Sequence, residues 1–205
     1  MKIISLEIFK IILFTTVIIF GLQFWTKAND IRDFEIEGMT VGDSLNKHFS
    51  KKKINESEVD WYNDLEKNKY ISYAFDSKNF QTYDFVDIWV KYGDKDLKID
   101  TLAGVLYFGD NKTIKTVNDC YKKQKTISDE LLSIFKEAKK EGPSKRVFYE
   151  ADSTGESSYT DIYLDLDDKY QVVIACYDWS DKFLGIKEDH LYIAIRSKDL
   201  SNWLN

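Results

Sequence analysis

Sliding this 205-residue chain against itself by 74 positions brings two hairpin-like segments into register, and that match limits the fold more than any other feature. Asp87-Ile-Trp-Val-Lys-Tyr-Gly-Asp-Lys95 falls over Asp161-Ile-Tyr-Leu-Asp-Leu-Asp-Asp-Lys169, with four of nine positions identical. Upstream, Tyr70–Phe75 falls over Ser144–Tyr149, and the charged stretch 55–67 over 129–141. The reading is two related halves, about 34–110 and 126–197, each ordered helix, strand, strand, strand. Tyr159, Asp161, Tyr163 and Asp165 alternate with Thr160, Ile162, Leu164 and Leu166, the pattern of a strand with one buried face. Asp167-Asp168-Lys169 is the expected turn into a strand over 169–178, whose Val172–Cys176 run is apolar throughout. Strands are also expected at 83–92, 97–108, 145–150 and 190–196, with a turn at Gly93–Asp96. No strand-helix-strand crossover stands out, so the class is α+β with an antiparallel sheet.

Helices are placed by caps and spacing. Thr126-Ile-Ser-Asp129 resembles a capping box, Ile127, Leu131, Ile134 (or Phe135) and Ala138 follow helical spacing, and Gly142-Pro143 stops the run. Thr40–Asp43 starts a second short helix with Val41, Leu45 and Phe49 as its apolar stripe. Residues 112–125 read as a stretch that starts as a strand and finishes as a helix, and a short terminal helix ends at Trp203-Leu204.

The first 28 residues have another character. Lys2 and Lys10 precede the uncharged apolar run 11–26, and charged sequence resumes at Lys27. This is the pattern of a signal peptide or an N-terminal membrane anchor, and either version exports residues 30–205. The expected location is periplasmic, or anchored to the inner membrane and facing the periplasm. The run is shorter than the ~20 residues that span a bilayer comfortably, which favours cleavage. Net charge is −6 and the leader is itself basic, so the exported part is more acidic still. That excludes nucleic acid and anionic lipid as partners, since both reward a basic face. Only Arg32, Arg146 and Arg196 among the 29 basic residues are arginine, which reads as AT-rich codon usage.

Two cysteines, Cys120 and Cys176, fall in the exported part. They form either one disulfide, stabilising by about 2–4 kcal/mol, or two buried thiols. Metal chemistry has little material: His48 and His190 are far apart in sequence, and the acidic set Asp161, Asp165, Asp167, Asp168, Asp178 and Asp181 lacks the glycine and closing glutamate of a calcium loop. No metal or cofactor is expected. Trp179, beside Asp178 and Asp181, is the tryptophan expected to be exposed, which makes 178–189 the candidate binding loop.

Gly42-Asp43-Ser44-Leu45 spells the motif of the GDSL esterases, and a triad of Ser44, His190 and Asp189 can be drawn from it. The resemblance covers four residues. The family's acid-to-base spacing is missing, since Lys187 stands three before His190, and its parallel sheet does not fit a chain of hairpins. A wider motif, Phe34-Glu-Ile-Glu-Gly-Met-Thr-Val-Gly-Asp-Ser-Leu45, resembles the opening of a group of uncharacterised exported proteins from AT-rich marine bacteria. It also resembles the Gly-Met-Thr start of the outer-membrane-assembly lipoprotein (SmpA/OmlA) domain, whose architecture is that of the β-lactamase inhibitor protein. That resemblance implies a non-catalytic envelope module that binds or assembles with another envelope protein and meets the membrane only through its N-terminal segment. Unlike the lipoprotein, this chain has no cysteine at the end of its leader. The expected function is therefore protein binding in the cell envelope, with an exported serine hydrolase as the alternative.

Overall fold

The computed structural model describes residues 31, 34–60, 69–76, 78, 80–150, 152–182 and 188–204. The leader, Trp61, Tyr62 and the middle of the 178–189 loop lie outside them. Among the described residues no helix is long and apolar enough to cross a membrane.

The chain is mixed α+β around one antiparallel sheet. Its strands are β1 (Glu58–Val59), β2 (Tyr70–Asp76), β3 (Phe85–Lys91), β4 (Ile99–Tyr107), β5 (Lys139–Glu141), β6 (Val147–Phe148), β7 (Ser158–Asp165), β8 (Tyr170–Asp178) and β9 (His190–Ser197). Their spatial order is β1-β2-β3-β4-β9-β8-β7-β5, with β6 also on β7. The two long hairpins, β3–β4 and β7–β8, therefore lie in one sheet with β9 between them. Side-chain carboxylates set their turns. Asp94 accepts from the Asp96 and Lys98 amides at 2.9 and 3.1 Å, and Asp167 from those of Lys169 and Tyr170 at 2.7 Å each.

One face of the sheet is covered along its length. Over β2–β4, Ile36, Met39, Val41 and Leu45 from the N-terminal segment and Ile54 of α1 (Lys51–Glu56) pack on Phe75, Val86, Ile88 and Leu102. Over β7–β9, the helix α2 (Val117–Ile134) lays Cys120, Leu131 and the following Phe135 on Ile162, Leu164, Ile174, Leu191 and Ile193. Cys120 and Cys176 are bonded, with Cα atoms 6.0 Å apart, tying the first turns of α2 to β8. One turn later the buried Gln124 amide donates to the carbonyls of Thr160 and Ile174 at 3.2 and 2.7 Å. The short helix α3 (Lys198–Leu204) crosses to the other face, where Leu200 and Trp203 meet Tyr70 and Trp89.

Three expectations need correction. The helix expected from Thr126 to Gly142 instead runs over Val117–Ile134, because the true cap is ten residues earlier: Thr116 Oγ1 accepts from the Asp119 amide at 3.2 Å and donates to the Asp119 carboxylate at 3.0 Å. Thr126 sits mid-helix with its hydroxyl bonded to the Lys122 carbonyl, and Lys139–Glu141 is an edge strand on β7. The strand expected over 145–150 shortens to Val147–Phe148. The short helix after Thr40 is only a 3-10 turn over Leu45–Lys47, with α1 beginning at Lys51 behind its own cap, Ser50. Val41 and Leu45 are buried as expected and Phe49 stacks on Phe75 at 3.8 Å, but the backbone reaches that arrangement without a continuous helix.

Candidate functional site

Alternation along β7, β8, β9 and β4 sends every second side chain to the face that α2 does not cover, and the strand register lines those residues up in rows. The first row is aromatic throughout: Tyr159 opposes Tyr177, Tyr177 opposes His190, and His190 opposes Tyr107. Ring centres along it are 5.7, 4.7 and 6.3 Å apart. Trp179 extends the row past the end of β8, stacked on Tyr177 at 5.5 Å and met edge-on by Tyr149 at 5.1 Å. The next two rows carry small residues at their centre. Ala175 opposes Tyr192, and Tyr163, Val173, Ala194 and Ala103 stand opposite one another in turn. Val173, Ala175, Ala194 and Ala103 are at most 2% exposed, and Val173, Ala194 and Ala103 cluster with Tyr163 and Tyr192. The fourth row holds Asp165, Gln171 and Arg196. Beyond it the Gln171 amide donates to Ser201 of α3 at 2.7 Å, so the helix closes that end of the face.

This places the expected binding residues differently from the sequence reading. Trp179 is 8% exposed, because its ring is locked between Tyr177 and Tyr149 while its amide donates to Asp189 at 2.6 Å. The expectation of an exposed tryptophan is corrected accordingly. Asp178 pairs with Arg146 at 3.0 Å, and Arg146 also donates to the Ser158 hydroxyl at 2.5 Å. Asp181 is exposed. Burial pushes the Asp189 carboxyl up, the Trp179 amide opposes that, and Asp178 reinforces it.

Ser44, His190 and Asp189 are not brought together as a triad. Ser44 bridges Lys98, just before β4 begins, and its hydroxyl donates to the Asp96 carbonyl at 2.5 Å. His190 opposes Tyr107 at the other end of the same strand, and its Nδ1 bonds the Glu188 carbonyl at 2.6 Å. At ~3.3 Å per residue, the length of β4 puts the serine roughly 30 Å from the histidine. The carboxylate nearer to hand, Asp43, is taken by Lys47 and His48 at 2.8 and 3.1 Å. Both bonds hold its pKa below the ordinary aspartate value, that from Lys47 the more strongly, and burial opposes them.

The acidic set disperses as well. Asp165 meets Lys198 at 3.3 Å, Asp167 caps its turn and Asp178 holds Arg146. Among the described residues no three His, Cys, Asp or Glu side chains group as a metal would need.

The Phe34–Leu45 motif has an architectural task. Ile36 and Met39 close a tight turn with Glu37 at φ 52° and Gly38 at φ 74°. The Glu37 carboxylate receives the amides of Gln81, Thr82 and Tyr83 at 2.8, 2.7 and 2.9 Å. Burial raises its pKa, the three amides outweigh that, and the net value lies below the ordinary glutamate range.

Sequence reasoning missed Tyr107, Tyr159, Tyr177, Tyr192 and Arg196 as one surface. Their shared parity within predicted strands was a visible signal, but the β4–β9 pairing that joins them was not. Comparison with protein-family models, with curated proteins and with solved structures finds no match to this chain.

Proposed function

We propose that this chain is a non-catalytic binding or assembly module of the cell envelope, which docks another envelope protein on the tyrosine-rich face of its sheet. The observation that carries this reading is the aromatic row Tyr159–Tyr177–His190–Tyr107 beside a floor of small buried residues. Tyrosine supplies large contact area at low entropic cost and keeps a polar tip for hydrogen bonding, which is why it is enriched where proteins meet. The reading includes export by the N-terminal segment, as a cleaved signal or a retained inner-membrane anchor, and two related α-β-β-β halves in the manner of the β-lactamase inhibitor protein. The disulfide supports the exported setting, because such bonds persist in oxidising compartments.

Site-directed photocrosslinking in intact cells tests it. A benzophenone amino acid at Tyr177 or Tyr192 is expected to capture one discrete envelope partner, and the same probe at exposed Tyr92 or Lys136 is not. Uniform, nonspecific capture from all four positions removes the docking face. An ester-hydrolysis assay of wild type against Ser44→Ala addresses the hydrolase alternative, and equal background rates are expected.

A further inference from the structure

We propose that Arg196 is a carboxylate-binding position on this face, and that the docked partner presents there a single aspartate or glutamate carried in an otherwise apolar extended segment. The proposal rests on the docking reading above and specifies the chemistry of the partner.

Arg196 stands on β9 opposite Gln171, its guanidinium carbon 5.8 Å from the centre of the Tyr192 ring. Its Nε is shut off from solvent and has no acceptor among the described residues. The groups that act on it most strongly are the hydroxyls of Tyr192, which also hydrogen-bonds the guanidinium, and of Tyr177 and Tyr163, none of them a counter-ion at neutral pH. Tyr163 is pushed up to about 12, chiefly by burial and then by Asp161. The acids nearby are engaged elsewhere. Asp165 meets Lys198 at 3.3 Å, and Asp100 takes the Ser197 hydroxyl and lies 3.7 Å from Lys91. Arg146, in the loop just before β6, has its carboxylate in Asp178.

A half-buried cation with an unpaired Nε and no counter-ion is destabilising, and an apolar side chain of similar volume would fill the same space at less cost. The guanidinium has something else to offer. It is a planar fork of donors, already oriented on an aromatic ring, and it matches a carboxylate bidentately. The rest of the surface limits what carries that carboxylate. A net charge of −6 repels an acidic tract at long range, so recognition has to be local. The residues packed beside Arg196 are the buried Val173, Ala194 and Ala103, an apolar surround with no group to pair a further charge. A lone acid between apolar residues meets both conditions.

The test is a titration of the full-length protein with two blocked tripeptides, acetyl-Val-Glu-Val-amide and its glutamine counterpart, read by the Arg196 Nε–H resonance and the Val173 and Ala194 amides in NMR spectra. The glutamate peptide is expected to bind at least about tenfold more tightly, the ratio that ~1.4 kcal/mol of charge-assisted bonding gives. Added salt is expected to weaken only that peptide. Arg196→Leu is expected to abolish the discrimination while leaving the melting temperature unchanged or higher, which a merely structural arginine would not do. Arg196→Lys keeps the charge without the fork, and is expected to lose most of the preference should the leucine variant fail to fold. Equal binding of the two peptides overturns the carboxylate site and leaves the docking face standing. No shift with either peptide also overturns it, and crosslinking from Tyr177 and Tyr192 judges the docking face separately. Loss of stability in Arg196→Leu with discrimination intact makes the residue structural and overturns the proposal as well.

Discussion

The covered face of the sheet is sealed in two different ways. Over β7–β9 the cover is an 18-residue helix, stapled by Cys120–Cys176 and by the Gln124 amide. Over β2–β4 it is an irregular run, Phe34 to Glu56, with short helical turns and a carboxylate clamp at Glu37. The first cover is regular and covalently tied. The second relies on apolar residues dropped singly into the core and on hydrogen bonds to far loops. The contrast shows that a sheet does not require a helix to close its core; it requires apolar area at the right spacing, with the backbone groups of the cover satisfied.

The largest expected effect separates the two covers. Reducing the disulfide, or Cys120→Ser with Cys176→Ser, is expected to cost about 2–4 kcal/mol, because a long loop of the unfolded chain is released. Chemical denaturation measures the loss. Hydrogen exchange is expected to show it first in α2 and β8, while β2 and β3 keep their protection. Equal loss on both sides would mean that the covers are one cooperative unit.

A second substitution addresses what the two covers share. Tyr83 packs against both core clusters, and its ring occupies the space above Gly104 of β4, where an added Cβ would fall 2.4 Å from a ring carbon. Gly104→Ala is therefore expected to cost about 1–3 kcal/mol by overpacking. Unlike the disulfide, it is expected to lower protection on both sides. Tyr83→Leu in the same background is expected to recover part of the loss, as the smaller side chain makes room.

The irregular cover is probed through Glu37. Glu37→Gln keeps the shape but gives up the charge and one acceptor oxygen, at an expected ~1–2 kcal/mol. The pH dependence carries the sign. The folded pKa is depressed, so the contribution is complete above the ordinary value of 4.5 and is lost as pH falls through the folded value. The stability gap between wild type and Glu37→Gln is expected to be constant above about pH 5 and to shrink below it. A gap that grows on acidification would contradict the clamp.

What the sequence revealed of this fold follows period-two alternation. Ser158–Asp165 alternates buried and half-buried at every position, and the hairpin turns at Asp94 and Asp167 carry their own acceptor side chains, so β3, β4, β7 and β8 could be read directly. The helix α2 was legible as a helix but misplaced. Its inward stripe includes the buried polar residues Gln124 and Ser128, which interrupt the apolar spacing and shift attention to Ile127 and Ala138. The candidate site was the least visible part. Tyr107 and His190 are 83 positions apart, and nothing local says that β4 lies beside β9. The burial of Trp179 arises from ring packing with Tyr149 and Tyr177, a tertiary arrangement with no periodic signature.

The smallest expected effect tests the start of the regular cover. Two threonines in this stretch precede an aspartate by three residues, Thr116 and Thr126, and only the first has extended backbone with its oxygen on the amide three residues on. Thr116→Ala removes that acceptor from the helix N-terminus and leaves the Asp119 carboxylate without its hydroxyl donor. The expected cost is about 1 kcal/mol, the usual value of a lost N-cap. Thr126→Ala removes only a mid-helix bond to the Lys122 carbonyl and substitutes a better helix former, so it is expected to be neutral or slightly stabilising. Circular dichroism melts of the two single variants decide between the caps. If Thr126→Ala were the more damaging, α2 would begin ten residues later than described, and Cys120 would lie ahead of the helix rather than in its first turns.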